Sequence, residues 1–147
     1  MKTIRLNGIA KNITLGILAL VMTFSFTSCS KKVIFLSSSA VPGAEGYVRV
    51  KKDNNKNNVI QIEISNLAEV NQLEPAKQTY VVWMETDKNK AENLGQLKSS
   101  QALFSKQWKA SFETVTSSNP IKVFITAENE GSAQYPGNQV VLSTDKF

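Results

Sequence analysis

From residue 46 onward the chain alternates apolar and polar positions with a period of two. In GYVRVKK (46–52), Val48 and Val50 fall on one face. In VIQIEIS (59–65), Ile60, Ile62 and Ile64 share one face, and Gln61, Glu63 and Ser65 the other. DNNKNN (53–58) lies between these runs and is rich in residues that tolerate left-handed backbone angles, so the pair predicts a hairpin. Further strands are predicted at TYVVWMET (79–86), LGQLKSS (94–100), QWKASFETV (107–115), IKVFITAE (121–128) and QVVLST (139–144). Trp108, Ala110 and Phe112 are expected to point inward, as are Ile121, Val123, Ile125 and Ala127.

The segments between these runs are polar or broken. DKNKAEN (87–93) reads as a turn, Asn119-Pro120 as a break and NEGSAQYPGN (129–138) as a loop. NLAEVNQLEPAKQ (66–78) spaces Leu67, Val70 and Leu73 by three, enough for one helical turn, and these residues are expected to cover the end of the core. The pattern as a whole predicts an all-β chain, an antiparallel immunoglobulin-like β-sandwich of seven to eight strands over 46–147.

The first thirty residues follow a different rule. Residues 1–12 carry Lys2, Arg5 and Lys11, residues 13–24 (ITLGILALVMTF) are mostly apolar, and small and polar residues lead to Cys29. This is the layout of a secretory signal peptide, and the apolar run falls short of the roughly 18 residues of a comfortable bilayer span. Cys29 is the only cysteine and follows Thr27 and Ser28. The setting resembles a bacterial lipobox, with Phe26 where Leu is usual. A lipobox implies cleavage after residue 28 and diacylation of the Cys29 thiol. A plain signal peptide with an incidental cysteine, or an uncleaved anchor, is the alternative. The resulting expectation is a signal peptide over 1–28, a lipidated Cys29 with a tether through residue 45, and the sandwich from 46. In that tether, VIFL (33–36) is either a weakly docking edge strand, the favoured reading, or linker. The protein is then a lipid-anchored component of the bacterial cell envelope, most naturally of the outer membrane, with its domain periplasmic or surface-exposed.

Composition removes several chemistries. The 147 residues include no histidine and one cysteine, so neither a Ser-His or Cys-His mechanism nor a Cys/His zinc site can be assembled. Setting Lys2, Arg5 and Lys11 aside takes the 17 basic residues to 14 against 12 acidic ones, a net charge near +2. Lys31-Lys32 and Lys51-Lys52 are short pairs that read as solvated surface, so no nucleic-acid partner is expected.

Tyr80 and Trp83 open a family resemblance. The stretch YVVWMETDKNKAENLGQLK (80–98) resembles part of the extracytoplasmic C-terminal domain of anti-sigma-K factors. VFITAENEGSAQYPGNQVVLS (123–143) resembles that family's ending, through Thr126, Glu128, Gly131, Ser132, Pro136 and Val140 to Leu142. Leu73 and Pro75 match the step before the family's tyrosine, whereas Asn129 replaces its proline after the glutamate. The resemblance implies a sandwich used for sensing or contact in the envelope. The family's sigma-binding helical domain and transmembrane helix have no counterpart in the sequence, so a cytoplasmic sigma factor is not expected as a partner.

Candidate residues for function are few. If Tyr80, Val82 and Met84 face the core, Val81, Trp83 and Glu85 face outward, and Phe124 shares an outward register with Lys122, Thr126 and Glu128. An outward Trp83 and Phe124 would make a contact patch, whereas a bulge or a covering loop would bury Trp83. Glu63, Glu85, Glu113 and Glu128 sit on strand faces opposite apolar ones. A pair of them roughly 5–9 Å apart could act as a hydrolase of the envelope, but solvated acids are the simpler reading. No metal site and no cofactor is expected; DNNKNN interrupts its oxygens with Lys56. The function expected is non-catalytic: a lipid-anchored sensing, binding or interaction module with the membrane as one partner, through Cys29, and an envelope protein or ligand as the other. A carboxylate-dependent, carbohydrate-acting enzyme and a purely structural envelope component are the alternatives.

Overall fold

The computed structural model describes residues 30–88, 90–101 and 108–147. Its strands are β1 (Lys31–Ile34), β2 (Glu45–Lys52), β3 (Asn58–Ser65), β4 (Thr79–Thr86), β5 (Ala91–Gln101), β6 (Trp108–Thr116), β7 (Pro120–Glu128) and β8 (Val140–Ser143). Every pairing is antiparallel. The first sheet runs β1-β2-β3-β6 and the second β5-β4-β7-β8, an eight-stranded immunoglobulin-like sandwich. Cys29 and the apolar run before it lie outside the described residues. Among the described residues no helix is long and apolar enough to cross a membrane.

The period-two pattern explains the layers. Ile60, Ile62 and Ile64 of β3 turn inward against Val82 and Met84 of β4 and Val123 and Ile125 of β7, all nearly inaccessible. Two devices stitch the sheets together. β5 pairs with β4 over its first half and with β6 from Lys98 to Gln101, so one strand belongs to both sheets. At the opposite seam Phe35 bridges to Thr144, and the Leu36 N–H donates to the Ser143 carbonyl at 2.8 Å.

This seam bears out an edge strand within the segment expected as a tether, but its docking is firm rather than weak. Residues 31–44 belong to the sandwich: β1 pairs with β2, and Phe35, Val41 and Ala44 are buried in the core. Phe35 is the reason, since a buried aromatic side chain contributes several kcal/mol and holds the segment in place. The domain thus begins at Lys31 rather than at 46.

β5 also differs from expectation, starting at Ala91 inside the segment read as a turn. Its register slips opposite Val82 and Trp83, leaving Leu94 as an extra residue. Gly95, at φ +131°, makes the slip possible, and its N–H donates to Asn93 Oδ1 at 2.8 Å. Trp108, expected inward, is only half-buried, because it opens β6 where the core ends.

The 66–78 connection caps the core as expected. It contains a single 3₁₀ turn, Val70–Gln72, and buries Leu67 and Leu73. Tyr80 crosses the core to meet it, its hydroxyl donating to the Ala68 carbonyl at 2.9 Å. Burial pushes the Tyr80 hydroxyl up to about 12. An unfolded tyrosine releases its proton near 10, so the chain has a stability increment that is complete below about pH 10 and lost as pH rises towards 12. Tyr80→Phe should therefore lower stability by about 1–2 kcal/mol at neutral pH and flatten the alkaline decline between pH 10 and 12, as measured by denaturant unfolding across that range.

Candidate functional site

Both aromatic residues expected in a contact patch are buried. Trp83 is 0% exposed and Phe124 8%, which corrects the reading of an open patch at this position. The two are cross-strand partners on β4 and β7, with near-parallel rings 6.4 Å apart between centroids. They do point away from the core between the sheets, as the period predicts, and with Val81 they form a second apolar cluster. The 129–139 loop folds back over this cluster, and Ala133 packs on it.

A buried polar chain holds that cover. The Trp83 Nε1–H donates to Thr126 Oγ1 at 2.8 Å. The Thr126 hydroxyl donates to Glu128 Oε1 at 2.6 Å, and the Gly137 N–H donates to the same oxygen at 2.6 Å. A Cβ at Gly137 would sit 2.7 Å from Glu128 Oε2, so only glycine lets the loop backbone come this close. Asn93 adds two clamps from β5, its Nδ2 donating to the carbonyls of Gly131 at 3.1 Å and Ala133 at 2.8 Å. Burying Trp83, roughly 200 Å², contributes about 5 kcal/mol at most, shared between the loop and its strand neighbours Phe124 and Ala91. The signal was present in the sequence: TYVVWMET is apolar on both faces at its centre, as befits a strand covered on both sides.

The carboxylates are mostly spoken for. Glu128 anchors the loop. Glu85 lies 3.6 Å from the Lys146 ammonium. Glu113 accepts from Gln61 Nε2 at 2.5 Å across β3 and β6. Glu63 is exposed on the outer face of the first sheet, opposite Tyr47 on one side and Ser111 on the other. Since Glu113 stands two residues from Ser111, Glu63 and Glu113 are diagonal neighbours, with Cα atoms roughly 7–8 Å apart. Among the described residues no three Asp, Glu, His or Cys side chains gather as a metal site would need.

What the structure leaves open is the outer face of the first sheet. Tyr47 and Arg49 from β2, Gln61 and Glu63 from β3, and Ser111 and Glu113 from β6 stand side by side there. Three shallow depressions of about 290–300 Å³ adjoin on this face, and Glu63 lines all of them. The Lys32 ammonium sits 3.9 Å from the centroid of the Tyr47 ring and the Arg49 guanidinium 5.4 Å, so the ring lies among cations. The Glu63 carboxylate, as hydrogen-bond partner and then as a charge, together with desolvation, holds the Tyr47 hydroxyl above the ordinary tyrosine range, against the pull of Arg49. The face thus offers donors, acceptors and one flat ring in a row. Sequence reasoning missed Tyr47, although it alternates with Val48 and must face opposite to it.

Thr126→Val keeps the shape of the buried site and removes the acceptor for Trp83 and the donor to Glu128. It should cost about 1–3 kcal/mol and, in a Trp108→Phe background, leave Trp83 emission blue while unfolding shifts to lower denaturant. Trp83→Ala should cost about 3–5 kcal/mol in the same assay, the effect of a core residue rather than of a surface anchor. No family model matches this chain, and no curated protein or solved structure matches it either.

Proposed function

We propose that this protein is a non-catalytic, lipid-anchored module of the bacterial envelope. In this reading it contacts an envelope partner through the outer face of its first sheet. The observation that carries the reading is the contrast between the two outer faces. One has its aromatic centre covered by its own loop. The other stays open and grooved around Glu63, with Tyr47, Arg49 and Gln61 arranged for polar and stacking contacts. The lipobox-like setting of Cys29 supports the anchor, since acyl chains contribute about 0.8 kcal/mol per buried CH₂ and two or three of them hold a domain firmly. The resemblance of 73–147 to the extracytoplasmic domain of anti-sigma-K factors supports a contact or sensing role. The resembling residues Tyr80, Trp83, Thr126 and Glu128 are those that build the core and its loop cover, so they speak for a scaffold and leave the partner to the other sheet.

One observation favours a second reading. Glu63 and Glu113 are diagonal neighbours on one open face, the kind of placement from which two carboxylates can flank a glycosidic bond. Both are exposed, and a general acid of this kind needs a desolvated carboxyl, so the contact module is the better account. Turnover on a glycan panel that disappears in both Glu63→Gln and Glu113→Gln would reverse the preference.

Two measurements test the main reading. Cys29→Ser should move the protein from the membrane fraction to the soluble one; retention in the membrane would sink the anchor. A photo-crosslinking residue in place of Ser111 should yield envelope adducts that weaken at least tenfold with Tyr47→Ala, whereas one in place of Gln134, on the covering loop, should yield none. Equal adducts from both positions would remove the first sheet as the contact face.

A further inference from the structure

The sandwich is electrically polar along its strands. β1 begins at Lys31, and at that same pole lie the β2–β3 and β4–β5 turns, because β2 and β4 both run towards it. Lys31, Lys51, Lys52, Lys56, Lys88 and Lys90 cluster there. Against them stand Asp53, Asp87 and, at the ends of β4 and β5, Glu85 and Glu92, with Lys32 and Lys122 at the same depth on the basic side. Asp53 is turned into its own loop, its Oδ1 accepting from the N–H groups of Asn55 and Asn57 at 2.8 Å each. Desolvation pulls that carboxyl up, but the Asn57 and Asn55 hydrogen bonds outweigh it and keep the group ionised to lower pH than usual. Asp145, Lys146 and the terminal carboxylate share this pole and leave its sign positive. At the other pole the described connections and strand ends carry Glu45, Glu69, Glu74 and Glu130 against Lys77 and Lys109.

We propose that the basic pole rests directly on an anionic phospholipid surface, so that the sandwich stands upright with its acidic pole outward and the first sheet's outer face sideways. The inference rests on the reading of Cys29 as acylated. Only Ser30 separates Cys29 from β1, and two extended residues reach at most about 7 Å. That is within a Debye length of the headgroups at physiological salt, where each lysine is attracted to an anionic leaflet rather than screened from it. The chain has no slack with which to hold the domain off the bilayer. Charge then decides which of the available tilts is taken. With the acidic pole repelled and the basic pole attracted, the covered and open faces both stand clear of the lipid.

The test uses the processed, acylated protein in vesicles of equimolar phosphatidylglycerol and phosphatidylcholine. A fluorophore is placed on Asn55→Cys in the basic pole or on Gln134→Cys in the covering loop, and a quencher is attached to lipid headgroups. Quenching should be strong at position 55 and absent at 134. It should fall at least threefold in pure phosphatidylcholine, and equally with Lys51→Glu, Lys52→Glu and Lys56→Glu combined, while the protein stays on the vesicles. Lys88→Glu with Lys90→Glu, on a separate turn, should act in the same direction. Quenching that is equal at the two positions, or indifferent to lipid charge and to both variants, overturns the proposal. Adducts of the basic pole with an acidic protein in place of lipid overturn it as well. The mass of the N-terminal peptide tests acylation by itself. If Cys29 is unmodified, the anchor fails, and the pole is judged by sedimentation with the same vesicles: retention that is lost on charge reversal supports it, and no retention overturns it.

Discussion

β4 is apolar on both faces, and a strand of that kind needs two covers. Tyr80, Val82 and Met84 find the first in the opposing sheet. Val81 and Trp83 have no sheet to meet, and the chain supplies the 129–139 loop instead. The loop is irregular backbone, so it must be fixed by side chains. The line from Trp83 through Thr126 to Glu128 and the Gly137 amide does this with a carboxylate whose acceptor oxygen is occupied twice. A buried acid is costly when unpartnered and specific when satisfied, and here it selects one path for eleven residues of loop.

The cover has a consequence for function. Aromatic residues on an outward strand register are the usual mark of a contact surface, yet here they serve the fold. In the proposed reading contact therefore falls to the first sheet, where β2, β3 and β6 present Arg49, Gln61, Glu63 and Glu113 around Tyr47. The grooves there are shallow, which suits a broad partner surface better than an enclosed small molecule. Under the proposed acylation of Cys29, the single residue between it and β1 would keep the sandwich and its contacts close to the membrane surface.

Much of the architecture was legible in the sequence because period two survives in nearly every strand. The inward isoleucines and the outward register of Trp83 and Phe124 follow from alternation, the β2–β3 hairpin from alternation with the DNNKNN turn, and the cap over 66–78 from the three-residue spacing of Leu67, Val70 and Leu73. Two questions that the sequence left open turn on distant contacts: the edge segment at 33–36 is held because Phe35 is drawn in at β8, and of the two readings of Trp83 the covering loop holds, because residues between β7 and β8 lie over it. Local pattern gives the direction of a side chain but not what arrives to meet it.

The same division governs charge. Lys31-Lys32, Lys51-Lys52 and Lys88 with Lys90 are separate short groups along the chain, and nothing in their spacing joins them. The antiparallel winding brings them to one pole, and it brings Glu69, Glu74 and Glu130 of other connections to the opposite one. The sequence by itself determined most of the strands and their inward faces, the want of histidine chemistry, and the signal-like segment ending at Cys29, since each depends on residue type and short-range order. Tertiary structure alone decided which outward face is covered, where the domain begins and how its charge is distributed, because each depends on contacts between residues tens of positions apart.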